Sequence, residues 1–431
     1  MDFVGLSAQL MFFKKALDKF GVKPVIIRHG KFKSAVEPFM YDKMSEANRE
    51  QVSTYVGSIW LSIQKGIAES RNMDIPELNN IADNLLLKNS KSAVELGFID
   101  SLLYYDEMID LLKEKSEAKE DKDLKLVSLG KYAKVPKKRK EGKKGLAKDK
   151  IAVIYAAGEI VMGKGKDDNI GAQSLSKTIR EARKDKKIKA IVLRVNSPGG
   201  SALASEIIWR EVVLAQKEKP VIVSMGDLAA SGGYYIACAA DTILASSNTL
   251  TGSIGVFGLL FNIEELMSEK IGITFDKVNT NRFSDIGAPT KNMDKEERAF
   301  IQNSVEEIYA TFIQHVADGR GMTTEQVDSI GQGRVWSGAN AIELGLVDKL
   351  GGLEDAIDIA AEKADLDYYR VVSLPKQKDP FEKIMESLGG KVSINLFGNE
   401  NDDFSRIYKY YKSLLDMEGV QARLPFEIEI E

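Results

Sequence analysis

Histidine and cysteine are almost missing from this chain, with two of the first and one of the second in 431 residues. A lone cysteine, Cys238, excludes an intrachain disulfide and any thiolate-based zinc cluster, and leaves the redox compartment unread. Its apolar surroundings, IACAA, mark it as a core residue. A Ser-His-Asp triad would need His29 or His315 beside its serine; neither stands in a turn motif, so both read as structural. Also missing is any run of 18 or more apolar residues, so the chain as given does not cross a membrane as a helix. The first twenty residues carry Asp2 early and lysines at 14, 15 and 19, the reverse of a secretory signal, and read as the middle of a domain. Nor does one charge sign dominate: 60 basic residues face 64 acidic ones for a net charge of -4. That balance, without a basic face interleaved with aromatics, steers neither nucleic acid nor an acidic partner to the surface.

What is present is a core-forming composition, 44% hydrophobic, on a chain long enough for two domains. The most informative stretch is Met225-Gly-Asp-Leu-Ala-Ala-Ser231-Gly-Gly-Tyr-Tyr235. Val221 to Ser224 reads as a buried strand and Ser231 onward as the opening of a helix. A serine at that junction is lifted out of the sheet among free backbone N–H groups, which suits a nucleophile whose transition state carries negative charge. A second strand, Ala190 to Val195, runs into Asn196-Ser-Pro-Gly199-Gly200 and then a helical pattern from Ala202 to Lys217. Proline and paired glycines after a strand expose amides as an oxyanion hole requires.

The order strand, NSPGGS, helix, strand, MGDLAASGGYY, strand, TLTGSIGVFG (Thr249 to Gly258) resembles the serine peptidases of the signal peptide peptidase A family, relatives of the Clp protease and crotonase fold. The resemblance runs from residue 4 to 430 and implies an α/β protein of tandem crotonase-like domains.

Self-comparison finds an internal repeat. Val22 to Phe39 aligns with Ile273 to Thr290 at a constant offset of 251, placing Gly21 over Gly272, Phe32 over Phe283 and Pro38 over Pro289. Met44 to Met73 and Met293 to Met322 read as matching long amphipathic helices. Ser92 to Asp100 then matches Asn340 to Asp348. The 105 residues from Ile151 to Gly255 have no counterpart before Val4. The expected organisation is a partial copy over 1–115, a basic linker over 116–150 containing KVPKKRKEGKKGLAKDK, and a complete copy over 151–431. On this reading the chain is an amino-terminally truncated two-domain member, the family's membrane anchor lies in the absent part, and Val25, Ile26, Ile27, Leu61 and Ile63 are left partly exposed.

A serine hydroxyl needs a base, and with histidine set aside the choices are carboxylate and lysine. Single-domain members of the family keep a catalytic lysine at the position of Ser284; in the first copy the same position holds Lys33, within GKFKSAVEPF. The resemblance therefore implies a dyad of Ser231 as nucleophile and Lys33 as general base. Phe32, Val36 and Phe39 would wall the amine, Lys31 is the decoy, and Glu37 and Ser34 are polar neighbours able to orient it. Gly232 and the Gly199-Gly200 turn would hold the oxyanion, with no metal or organic cofactor needed.

The family further implies cleaved signal peptides as substrate, a homo-tetramer, and the periplasmic face of the bacterial inner membrane. Whether Lys33 and Ser231 meet within one chain or across a subunit boundary stays open. So do two rival readings: a crotonase-fold acyl-CoA enzyme, for which the serine turn offers only Asp227, and an inactive assembly subunit.

Overall fold

A computed structural model describes residues 3–133, 135, 147–166, 168–375 and 420–423. Most of the basic linker run lies outside the described residues. The chain divides into two compact units, one of residues up to 7 and 60–146, the other of residues 8–59 and 147 onward. This division differs from the boundaries read from the sequence, because residues 8–59, Lys33 among them, belong with the serine-bearing unit. The smaller unit is helical. Phe3, Leu78, Ile81, Ala82, Ala93 and Phe98 form its core, with the Phe3 ring edge-on to Phe98 at 5.0 Å.

The larger unit holds every strand described. In chain order these are β1 (Lys23–Arg28), β2 (Lys150–Ala157), β3 (Glu159–Val161), β4 (Asn169–Gly171), β5 (Ile188–Ser197), β6 (Gly199–Ser201) and β7 (Val221–Ala230). After them come β8 (Thr242–Ala245), β9 (Leu250–Gly252), β10 (Phe257–Asn262), β11 (Val335–Ser337), β12 (Lys349–Leu350), β13 (Arg370–Leu374) and β14 (Gln421–Arg423). The main sheet runs β11-β9-β7-β5-β2-β13, with β8 on β7 and β12 on β8; the second runs β1-β10-β14-β6-β3-β4.

The centre of the main sheet is parallel, β13-β2-β5-β7. A parallel sheet is covered on both faces, and its strands read as continuous apolar runs. That is the look of AIVLRV and VIVS. Alternate residues divide between the two sides as the pleat demands. Ala152, Ile154, Ile191, Leu193, Val221 and Val223 join one core with the helices Ala172–Lys184 and Ala202–Gln216. Ile151, Val153, Ala190, Val192 and Ile222 join another under the helix Leu353–Lys363.

The repeat is visible in the elements. Glu46–Arg71 and Lys295–Arg320 are both helices of 26 residues, and Ser90–Glu95 and Gly338–Glu343 both helices of six. It breaks at β1, whose counterpart around 273–279 forms no strand. Asp276 and Lys277 stand there in place of Val25 and Ile26, so the copy lacks the apolar pair that makes a half-buried strand. β1 instead pairs antiparallel with β10, Lys23 opposite Asn262 through Arg28 opposite Phe257. That pairing corrects one expectation: Ile27 is 1% exposed, whereas Leu61 is 40% exposed and Val25, Ile26 and Ile63 are half-buried.

Because β1 carries the Lys33 loop, its anchoring is testable. Ile27→Ala should cost about 2–5 kcal/mol in urea unfolding, the range for truncating a buried aliphatic side chain. Val25→Ala, on the half-buried positions of the same strand, should cost much less.

Candidate active site

Three turns meet in the larger unit. The first follows β7. Ser231 leaves the strand with φ 54 and ψ -116, a conformation that L residues rarely adopt, and caps the short helix Gly232–Tyr235. Its N–H donates to the Gly252 carbonyl at 2.8 Å and its carbonyl accepts from Tyr235 N–H at 2.8 Å, so the turn is held at both ends. Backbone strain of this kind costs about 1–3 kcal/mol and persists where the surroundings dictate it.

The second turn follows β9, where Ser253 also has positive φ, 50°. Its N–H donates to the Arg334 carbonyl at 2.7 Å. Sequence reasoning passed over this residue, although it stands in the TGSIG stretch that helped to carry the resemblance.

The third turn brings Lys33. Residues 31–33 form a turn rather than a strand, so the two lysines part company: Lys31 is exposed, its amine 4.9 Å from the Phe32 ring, and Lys33 is 0% exposed. Lys33 Nζ lies 2.8 Å from Ser231 Oγ, 3.0 Å from Ser253 Oγ and 3.2 Å from the Ser253 carbonyl oxygen. Burial holds its pKa well below 10.5, the ordinary lysine value. A neutral amine matches the three neighbours: two N–H bonds go to the oxygens of Ser253, and the lone pair receives the Ser231 hydroxyl.

Two further contacts seat the loop. Gly30 (φ 90) and Gly333 (φ 81) let it touch the segment before β11: a Cβ on Gly30 would lie 2.4 Å from the Gln332 carbonyl oxygen, and one on Gly333 2.6 Å from Lys33 Cα. Buried Gln51, on the helix Glu46–Arg71, donates to the Phe32 carbonyl at 3.1 Å and to Ser34 Oγ at 2.6 Å. Its own carbonyl accepts from Val335 N–H at 3.2 Å. Ser34 thus serves the loop through Gln51. Glu37, 0% exposed, is taken up by Ser45 Oγ at 2.6 Å and Asn48 Nδ2 at 3.0 Å, with Arg28 3.8 Å away. It braces the segment after the lysine.

Of the glycines expected to face an oxyanion, Gly199 and Gly232 come together, since a Cβ on Gly199 would lie 2.7 Å from Gly232 N. Gly199 N–H donates to Ser197 Oγ at 3.1 Å. Gly200 stands within β6, opposite Ile160 of β3 and Ala422 of β14. The histidines are elsewhere. His29 stacks on Tyr309 at 3.8 Å; His315 stacks on Trp209 at 3.4 Å and meets Glu206 at 3.0 Å. Cys238 is buried, as expected, and Asp227 is exposed. Ser284 is exposed and bonds Asn281 locally. Among the described residues no group of histidine, cysteine and carboxylate could hold a metal.

Gln51→Leu tests the seating. With the Phe32 carbonyl and Val335 N–H left buried and unpaired, it should cost about 1–3 kcal/mol in denaturant unfolding. If the chain turns over peptides, kcat should fall more than KM rises, because the substitution shifts the amine relative to Ser231.

The profile of Peptidase family S49 matches residues 1–119 and 214–367, and that of Clp protease residues 141–250. The chain is 36% identical over 429 residues to the chloroplastic serine protease SPPA of Arabidopsis thaliana, covering 97% of this chain and 61% of that protein. It is 38% identical over 401 residues to Protease 4 of Salmonella typhi, covering 91% and 63%. The chain thus spans about three fifths of the length of these relatives. A solved structure, a mutant of ClpP1 from Listeria monocytogenes, superposes with a TM-score of 0.32 at 17% identity, over 48% of this chain and 94% of that one. The mixed α/β architecture around β5 and β7 is of the Clp protease and crotonase class.

Proposed function

This chain belongs to peptidase family S49, and from that premise we propose that it is a serine endopeptidase in which Lys33 is the general base and Ser231 the nucleophile. The observation that carries the reading is the 2.8 Å approach of Lys33 Nζ to Ser231 Oγ inside a site where both residues are 0% exposed. With the amine neutral, its lone pair takes the hydroxyl proton as the oxygen attacks a peptide carbonyl. The tetrahedral oxyanion is held by Gly232 N–H together with an amide of Gly199 or Gly200 at the start of β6. The lysine then gives its proton to the departing amine, and water, deprotonated by the same lysine, hydrolyses the acyl-enzyme. Ser253 holds the amine through both states: its two oxygens accept from the neutral form, and the ammonium form adds a third donor for Ser231 Oγ.

The substrates assigned by this reading are cleaved signal peptides at the periplasmic face of the bacterial inner membrane, and the assembly is a homo-tetramer. The support is family membership. Among the described residues no helix is long and apolar enough to cross a membrane. Tandem copies, over 1–115 and 151–431, account for the duplicated helices.

Ser231→Ala and Lys33→Met should each lower hydrolysis of a leucine-rich peptide by about 10³-fold or more, whereas Lys31→Met should leave it near wild type. A dead Lys31→Met with a live Lys33→Met would reverse the assignment.

The rate should climb with pH through an apparent pKa well below 10.5, and Arg in place of Lys33 should abolish that limb. Stability has the same sign. Between the folded and unfolded pKa values of Lys33 the unfolded chain binds more protons, so wild-type stability rises with pH across that window. The difference in unfolding free energy between wild type and Lys33→Met should therefore move in favour of wild type as pH rises toward 10.5.

A further inference from the structure

The segment 331–335, leading into β11, stands between the turns that hold Lys33 and Ser253. The Gln332 carbonyl accepts from Phe32 N–H at 2.9 Å, Gly333 N–H donates to the Ile254 carbonyl at 2.7 Å, and the Arg334 carbonyl accepts from Ser253 N–H at 2.7 Å. A displacement of this segment would therefore carry the lysine loop and Ser253 with it.

Gln332 is its strained member. Its φ is 53°, in the left-handed region, which a residue with a Cβ keeps only where its neighbours impose it. Those neighbours are Tyr309, on the helix Lys295–Arg320, and Asp328, on the helix Thr324–Ile330. Gln332 N–H donates to the Tyr309 hydroxyl at 3.2 Å and its side-chain amide to Asp328 Oδ1 at 2.5 Å, while the Tyr309 hydroxyl donates to the same Oδ1 at 2.6 Å. The phenol must be protonated to give one of these bonds and accept the other. Burial, and after it the bond to Asp328, raise its pKa, so the proton stays through neutral and mildly alkaline pH. The ring is 3% exposed and stacks on His29, whose Nδ1 meets Glu306 at 2.5 Å. Gln332 thus faces two ways, with its donors on Tyr309 and Asp328 and its carbonyl on the lysine loop.

We propose that Tyr309 and Asp328 are positioning residues for the lysine base, acting through Gln332 to keep Lys33 packed away from water. The proposal rests on the assignment of Lys33 and Ser231 as the dyad. The charged groups about the lysine loop are Arg28, which donates to the Lys33 carbonyl at 3.2 Å, Arg334 and Lys31 over the Phe32 ring, and Glu37, taken up by Ser45 and Asn48. About Tyr309 they are His29, Glu306 and Asp328. Tyr309→Phe adds and removes no charge among them, so what changes at Nζ is its access to water. Water admitted to the amine favours its charged form and raises its pKa toward 10.5.

Tyr309→Phe keeps the ring and deletes the hydroxyl. In peptide hydrolysis by the full chain, the rising limb of kcat against pH should move up by about one pH unit or more, a loss of about tenfold on the limb that shrinks above it, with KM little changed. Asp328→Ala, at a half-buried position, should move the limb the same way, and Asp328→Asn, which retains Oδ1, should restore it. Should Tyr309→Phe fold poorly, the Asp328 pair carries the test alone. An equal loss at every pH, an unmoved limb in folded variants with lowered Tm, or an Asp328→Asn protein that behaves like Asp328→Ala overturns the proposal.

A second readout needs no turnover. The unfolding free energy of a protein less that of its Lys33→Met derivative rises with pH between the folded and unfolded pKa values of Lys33. In Tyr309→Phe that rise should begin about one pH unit higher than in wild type. A Lys33→Met protein that still hydrolyses peptide would strike the dyad, and the stability readout then decides the positioning role by itself. A rise beginning at the same pH in both backgrounds overturns it.

Discussion

The larger unit is arranged around the cost of placing a lysine amine away from water with no carboxylate to neutralise it. An isolated buried charge is expensive enough that the group gives up its proton instead. The protein accepts that outcome and supplies partners for the neutral form, two acceptors on Ser253 and one donor on Ser231. Much else serves to keep this amine in place: the glycine contact with the segment before β11, the Gln51 clamp, the carboxylate of Glu37 spent on Ser45 and Asn48 rather than on the lysine. A carboxylate directed at Nζ would have raised its pKa and kept the amine charged.

The same economy explains the strained serines. Ser231 and Ser253 both adopt positive φ, each at the end of a strand of the main sheet. Parallel strands rigid enough to be buried on both faces can hold such turns, because the ladder and the cores behind them fix where each strand stops. Glycine would adopt the conformation without strain but would bring no hydroxyl.

Much of this was legible in the sequence because it is local. Ala190–Val195 and Val221–Ser224 are apolar runs ending in glycine-bearing turns, and they became β5 and β7 with Ser231 at the tip of the second. The lysine is legible only through the family resemblance joined to the repeat, which sets Lys33 over Ser284 of the other copy. What escaped was tertiary. Nothing in KPVIIR announces that it pairs with FGLLFN, 234 positions further along from Lys23 to Phe257, so the repeat alone does not show which compact unit residues 8–59 join. Ser253 was overlooked because its role lies in a φ value and a distance, neither of which has a sequence signal. Gln51, one polar residue on a long amphipathic helix, looked like its solvent-facing neighbours.

The separation of Lys33 and Ser231 along the chain has a consequence for how the molecule is made. Lys33 leaves the ribosome 198 residues ahead of Ser231, and the two become a pair only when β1 has found β10, downstream of both. A growing or half-folded chain therefore carries a charged, solvated lysine and an ordinary serine, neither reactive. The paired amine and hydroxyl therefore exist only once strands from far-apart parts of the chain have joined, so the site is made by topology and by no local segment alone.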